Sequence, residues 1–221
     1  MKIALMVIGG LLLLGVAGMA VFVFIVQNVE TPRYATVVQD GAFEVRDYPP
    51  LVVAEVRRQG DRQASLSQGF GPLARYIFAK ERGGERIAMT APVEQQRAEP
   101  IAMTVPVTQS RQENGDWAVR FIMPSQYRLE DLPAPAGSEV RLEPVAARRS
   151  AAIRFSGRAN DALLAEKERE LRAWIASKGL QPAGAAAVFA YYNDPFTPGF
   201  LRRNEVLIDL AAAPAAETPA P

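Results

Sequence analysis

The chain has 221 residues, of which 49% are hydrophobic and 22% charged, the balance of a folded protein. It contains no histidine and no cysteine, which excludes disulfides, thiol nucleophiles, zinc held by His or Cys, and any Ser-His-Asp arrangement. Of its 25 basic residues only Lys2 lies in the first 27 positions, so 24 basic face 24 acidic residues in the rest of the chain, without the cationic excess that nucleic-acid binding requires.

Ile3 to Val26 is an uninterrupted run of 24 residues without a charge. A spanning helix needs about 20 such residues. Small residues at Ala17-Gly18-Met19-Ala20 resemble a cleavage site, but the apolar run continues past them to Val26. Residues 1–27 are therefore read as an uncleaved transmembrane signal anchor. Lys2 and the amino terminus lie on one side of the run, and Glu30 and Arg33 cancel on the other. The positive-inside rule then places the domain outside the cytoplasm, periplasmic if the source is a bacterium. Residues 28–33 read as a linker and 34–210 as one domain. Residues 211–221 are a Pro/Ala tail too poor in large apolar groups to pack, and are expected to be disordered.

Alternation or β-rich composition predicts strands at Phe43–Arg46, Leu51–Val56, Trp117–Phe121, Val140–Glu143, Ala151–Phe155, Val188–Tyr192 and Val206–Leu210. A first helix is expected over Asp61–Lys80, with Leu66, Phe70, Leu73 and Ile77 on its inner face and Gly69, Gly71 and Pro72 weakening or kinking it. A second is expected over Asp161–Lys178, capped by Asn160, stopped by Gly179, and striped by Leu164, Leu171 and Ile175. Between the helices stand two near-identical heptads, IAMTAPV at Ile87–Val93 and IAMTVPV at Ile101–Val107. A proline in each should confine these strands to an edge, a bulge or a closure point. Glu44-Val45-Arg46 with Pro49 recurs 95 residues later as Glu139-Val140-Arg141 with Pro144, so each half reads strand, strand, helix, strand, strand. That weak repeat suggests a duplicated unit around one core.

The paired heptads, WAVRFIMP at Trp117–Pro124, IRFSGRA at Ile153–Ala159 and TPGFLRRNEV at Thr197–Val206 occur in an order that resembles the bacterial, membrane-anchored branch of the SOUL haem-binding family, over about Tyr34 to Leu210. The resemblance implies an α+β fold: a distorted eight-stranded antiparallel β-barrel with two helices, built from a duplicated ββαββ-like unit and shared with effector-binding domains. It also implies non-covalent binding of haem or another tetrapyrrole. Iron ligation by histidine, thought to be used in one branch, is impossible here. What is left is apolar contact with the first helix and a nearby loop, with basic side chains meeting the propionates.

On the outer side of the first helix, Ala64, Gln68 and Gly71 leave a flat surface, Phe78 flanks it, and Arg75 can pair with a carboxylate. These five are the candidate ligand-binding residues, although an ordinary solvated helix face would have the same composition. Met89 and Met103, at matching places in the heptads, are assigned to core packing. Arg202-Arg203-Asn204-Glu205 is read as anchoring the last strand. Gly69-Phe70-Gly71 lies inside a helix and follows no strand, so it is not a dinucleotide fingerprint. No catalytic or metal-ligating constellation is present, and the chain is expected not to be an enzyme. The alternative is a membrane-held module for another small apolar ligand or a protein partner, with no haem role.

Overall fold

The computed structural model describes residues 9–10, 13–15, 18, 29–97, 116–194 and 196–211. The chain divides into two compact units, Met1–Glu30 and Thr31–Pro221. In the first unit, residues 9–10, 13–15 and 18 are helical. Among the described residues no helix is long and apolar enough to cross a membrane. Most of the run Ile3–Val26, the second heptad Ile101–Val107 and the tail beyond Ala211 lie outside the described residues.

The second unit contains strands β1 (Ala35–Asp40), β2 (Phe43–Tyr48), β3 (Leu51–Arg58), β4 (Val93–Arg97), β5 (Trp117–Ile122), β6 (Arg141–Val145), β7 (Arg148–Phe155), β8 (Val188–Tyr191) and β9 (Asn204–Asp209), with helices α1 (Arg62–Ile77) and α2 (Asp161–Ser177). All strand pairings are antiparallel and form a nine-stranded sheet in the order β1-β2-β7-β9-β8-β4-β5-β3-β6. Apart from β1, the order reads the same in reverse when β2, β3, β4 and β5 are exchanged for β6, β7, β8 and β9. The helices obey the same exchange, since α1 packs on β3 and β5 and α2 on β7 and β9. The centre of the pattern is the β4–β8 ladder, where Gln95 faces Phe189.

The expected barrel differs from the sheet observed. Among the described residues nine strands replace eight, and β1 and β6 each pair with one strand, so the sheet is not closed. Both edges have a local reason. Pro144 in β6 cannot donate to a ladder and is tolerated on an edge strand. β1 is exposed along its whole length and carries a register shift between Thr36 and Val38, a device that blunts an edge.

Two cores lie under the helices. Leu73, Tyr76 and Ile77 of α1 pack with Ala54, Val56, Val119 and Phe121. Leu164, Leu171, Trp174 and Ile175 of α2 pack with Val45, Ile153, Val206 and Ile208. Asn160 caps α2 by accepting from Leu163 N at 2.9 Å, and Gly179 ends it in the left-handed region at φ 67°. The inner face of α1 differs from the one expected. Arg62, Ser65, Gly69 and Pro72 are buried beside Leu73 and Ile77, Leu66 is half-buried, and Phe70 is 40% exposed. Gly69 is the cause: a Cβ there would lie 2.8 Å from Val119 Cβ, so this glycine brings the helix onto the sheet. The helix runs continuously from Arg62 to Ile77, with Pro72 inside it.

Pro92 also acts differently from the expectation. It precedes β4, and that strand is central, between β8 and β5. In the first heptad only Val93 enters the strand; Ile87, Thr90 and Val93 are buried, whereas Met89 is 37% exposed and so is not core.

The face opposite the helices is also buried. Arg148 Nη2 in β7 lies 3.5 Å from Glu94 Oε1 in β4, three strands along. Three strand spacings in a flat sheet amount to about 14 Å, so the sheet curls strongly around this face. Its small apolar cluster of Tyr48, Ala152, Val188, Ala190 and Leu207 is surrounded by paired charges.

Candidate functional site

The amino-terminal ends of α1 and α2 meet over the centre of the sheet. Between them is a cleft of about 580 Å³, with Trp117 of β5 and Phe189 of β8 at its floor and Arg97 of β4 at its edge. Leu164, Ala165 and Glu168 of α2 and Ala185–Ala187 before β8 form one wall, and Gly60, Asp61 and Arg62 the other. Ligand pockets span roughly 300–1,000 Å³. Trp117 and Phe189 have ring centroids 6.3 Å apart, and the Arg97 guanidinium lies 5.4 Å from the Trp117 centroid. The floor is thus aromatic with one cation at its edge.

Arg62 is the best-held charge in the cleft. It is 6% exposed, and each nitrogen of its guanidinium donates a hydrogen bond: Nε to Asp161 Oδ1 at 2.5 Å, Nη1 to Tyr191 Oη at 2.8 Å, and Nη2 to the Ala159 carbonyl at 3.1 Å. Gln95, fully buried, donates to the Arg62 carbonyl at 2.8 Å and accepts from the Tyr191 hydroxyl at 3.4 Å. Burial pushes the Tyr191 phenol up to about 12 against the opposing Arg62 charge, so its proton stays in place for that bond. The other end of the pair is open to water, with the Asp161 side chain 78% exposed. Sequence reasoning missed Arg62, Tyr191 and Asp161 as site residues. Their one sequence signal is that Arg62 and Asp161 each follow a helix N-cap in matching halves.

The five residues proposed from sequence lie on the outer side of α1. Gln68 and Phe78 are exposed, and Ala64, Gly71 and Arg75 half-buried. None of them lines the cleft. Arg75 is engaged within the chain, its Nε 2.7 Å from Glu81 Oε1 and its Nη2 3.6 Å from Glu139 Oε2. Both carboxylates border a second cavity of about 80 Å³, lined also by Pro72, Tyr76 and Arg82, too small for a macrocycle.

The RRNE segment is structural. Glu205, fully buried, accepts from Arg46 Nη1 at 2.6 Å and Nη2 at 3.1 Å, from the Tyr192 hydroxyl at 2.8 Å, and from Arg203 Nη2 at 2.8 Å. Burial alone would raise the Glu205 carboxyl, but the Arg46 and Arg203 guanidiniums hold it below its usual range. Asn204 donates to the Gly157 carbonyl at 3.0 Å, joining the last strand to the turn before α2. In the preceding loop, Asp194 accepts from Phe196 N at 2.7 Å and Thr197 N at 3.1 Å. That loop leaves Phe196 87%, Phe200 77% and Leu201 62% exposed. Pro195 of the same loop is outside the described residues.

Residues 29–209 match the model of a family described as SOUL heme-binding protein. No curated protein matches the chain in sequence. Among solved structures, the EcmrR C-terminal domain aligns with a TM-score of 0.55 at 11% identity, over 81% of this chain and 99% of that one. A hydrolase from Listeria innocua aligns at 0.51 and 14% identity, over 79% and 94%. An uncharacterized conserved protein from Listeria innocua aligns at 0.52 and 13%, over 83% and 93%. At these identities the likeness shows a shared fold alone.

Proposed function

The chain belongs to the SOUL heme-binding protein family, and from that premise we propose that it binds haem or another tetrapyrrole non-covalently, as a membrane-tethered binding protein and not an enzyme. The observation that carries this reading beyond family membership is the cleft of about 580 Å³ with Trp117 and Phe189 at its floor and arginines at its rim. An apolar floor suits the face of a macrocycle, and Arg62 and Arg97 suit its carboxylates.

The lining residues fit the ring and not the iron. Among the described residues the lining includes no His, Cys, Met or Tyr, the usual protein ligands of haem iron. Binding by ring contact and carboxylate pairing follows, with the metal a passenger. The outer face of α1, with Ala64, Gln68, Gly71, Arg75 and Phe78, is a second place for the ring; it is less favoured because Arg75 is already paired. The tether is the apolar run Ile3–Val26, and its flanking charges favour a domain outside the cytoplasm.

Titration of the full chain in lipid nanodiscs with haemin and with metal-free mesoporphyrin tests the proposal. Saturable binding of both, with affinities within about tenfold, is expected. A ferric complex with six-coordinate low-spin features that vanish in one Met or Tyr variant would mean direct iron ligation. The exposed Phe196, Phe200 and Leu201 favour a second reading, a membrane-held module whose loop contacts a partner protein, because apolar clusters of this kind mark interaction surfaces. Binding of neither porphyrin would leave that reading, or a different small apolar ligand.

A further inference from the structure

We propose that Asp161 is a displaceable stand-in for a ligand carboxylate, and that Arg62 is the residue that recognises an acidic ligand in the cleft. The inference rests on reading the cleft as the ligand site, and deepens it by naming the exchange through which an acid enters.

The two ends of the ion pair are built differently. Arg62 is nine-tenths buried and fixed from three directions, by the Tyr191 hydroxyl, the Ala159 carbonyl and, through its own carbonyl, the Gln95 amide. A cation so held keeps its orientation when one partner leaves, because two of its guanidinium nitrogens and its own carbonyl stay hydrogen-bonded. Asp161 meets it through one hydrogen bond, from Nε to Oδ1, and its side chain is 78% exposed. Rotating that carboxylate into water costs little desolvation, since most of it is already hydrated.

An incoming carboxylate accepts the Nε hydrogen bond that Asp161 gives up, so no guanidinium donor is left without a partner through the exchange. Phe189 and Trp117 at the floor of the same cleft supply the contact that a hydrated side-chain carboxylate lacks. The expected ligand is therefore a flat apolar molecule with at least one carboxylate. An uncharged analogue gains nothing from Arg62 and leaves Asp161 where it is.

The test uses the full chain in nanodiscs, with empty nanodiscs as the blank, and four probes: metal-free mesoporphyrin, its dimethyl ester, 2-naphthoate and 2-naphthamide. Asp161→Asn removes the competitor and is expected to tighten both acids about three- to tenfold while shifting the ester and the amide less than about twofold. Arg62→Gln is expected to weaken the acids at least about tenfold and spare the uncharged probes. Asp161 is exposed, so its variant folds even if the Arg62 variant does not. Should 2-naphthoate follow this pattern while mesoporphyrin fails to bind, the exchange stands and the tetrapyrrole reading falls. Acids bound equally or more weakly by Asp161→Asn, or no binding of either acid, would overturn the exchange.

Discussion

Arg62 and Asp161 occupy the same position in the two helices, immediately after the N-caps Asp61 and Asn160, and are joined at 2.5 Å across the centre of the sheet. Apart from β1, the strand order is symmetric about the β4–β8 ladder, so matching helix starts converge there. Because Asp161 is mostly hydrated, their coupling in a double-mutant cycle should be small, about 0–1 kcal/mol. Asp161→Asn should alter stability by about 0.5 kcal/mol or less. Arg62→Met should lose more, about 1–3 kcal/mol, because Tyr191 and the Ala159 carbonyl are left without their donor. Urea unfolding of the four proteins gives the cycle; a coupling above about 3 kcal/mol would make the pair a clamp and not an exchangeable contact.

Gly69 and Gly71 should answer alanine substitution with opposite signs. A Cβ at Gly69 meets Val119 at 2.8 Å, so α1 must move off the sheet. Overpacking of that kind costs about 1–3 kcal/mol, which outweighs a helix-propensity gain of at most about 1 kcal/mol. At Gly71 the new Cβ meets only the end of the flexible Arg75 side chain, at 3.4 Å, and the propensity gain should prevail. Thermal melts of the two variants decide it, and Val119→Ala should partly rescue Gly69→Ala.

Leu73→Ala and Leu171→Ala probe the two cores separately. Both side chains are fully buried, each under its own helix. Each truncation should cost about 2–5 kcal/mol. Losses near 0.5 kcal/mol in denaturant titrations would place these leucines on exposed surface.

Local pattern made the helices legible. Asn160 and Gly179 bound α2 as expected, because a cap needs only neighbouring residues. Strand alternation located β2 but carried no sign that its polar face is buried, where Arg46 is 1% exposed. Whether the second face of a strand is wet depends on the curl of the whole sheet, which no short window contains. β1 was missed for the opposite reason: exposed throughout, it shows no contrast between its faces. The cleft was missed because its ion pair links residues 99 positions apart. Only the sequence repeat carried that information, and it was too weak to align the two helix starts.

The Arg46–Glu205 pair should control acid stability. Glu205 is held below its usual value of 4.5 by Arg46 and Arg203 in spite of burial, which acts the other way. A depressed carboxyl contributes stability that is complete above about pH 4.5 and is lost as pH falls through the lower folded value. Glu55, between Arg57 and Arg120, is shifted in the same direction and adds to the effect. Arg46→Met leaves the buried Glu205 with Arg203 as its remaining guanidinium partner and should cost about 3–5 kcal/mol at pH 7. The variant should then lose less stability than wild type between pH 5 and pH 3.5, since protonating a buried carboxylate that has lost one cation brings relief. Urea midpoints at these three pH values test the sign; parallel losses in both proteins would remove Glu205 as the titrating group.

Two arginines separate the two places where a ring could bind. Arg97 lies over Trp117 at the edge of the cleft and makes no ion pair among the described residues. Arg75, on the outer face of α1, is held by Glu81 and Glu139. A carboxylate meeting Arg97 gains a charge-assisted bond without displacing another acid. One meeting Arg75 must compete with two, at a partly exposed site where each contact is weak. Arg97→Gln should therefore weaken metal-free mesoporphyrin about three- to tenfold, the value of a solvent-exposed charged hydrogen bond, and leave its dimethyl ester within about twofold. Arg75→Gln should leave both within about twofold. Iron should not change the pattern, because neither guanidinium acts on the metal. The opposite result, in which Arg75→Gln weakens the acid and Arg97→Gln does not, would move the site to the outer strip of Ala64, Gln68, Gly71 and Phe78. Equal weakening of acid and ester by Arg97→Gln would mean that its contact with the Trp117 ring, and not its charge, shapes the floor of the cleft.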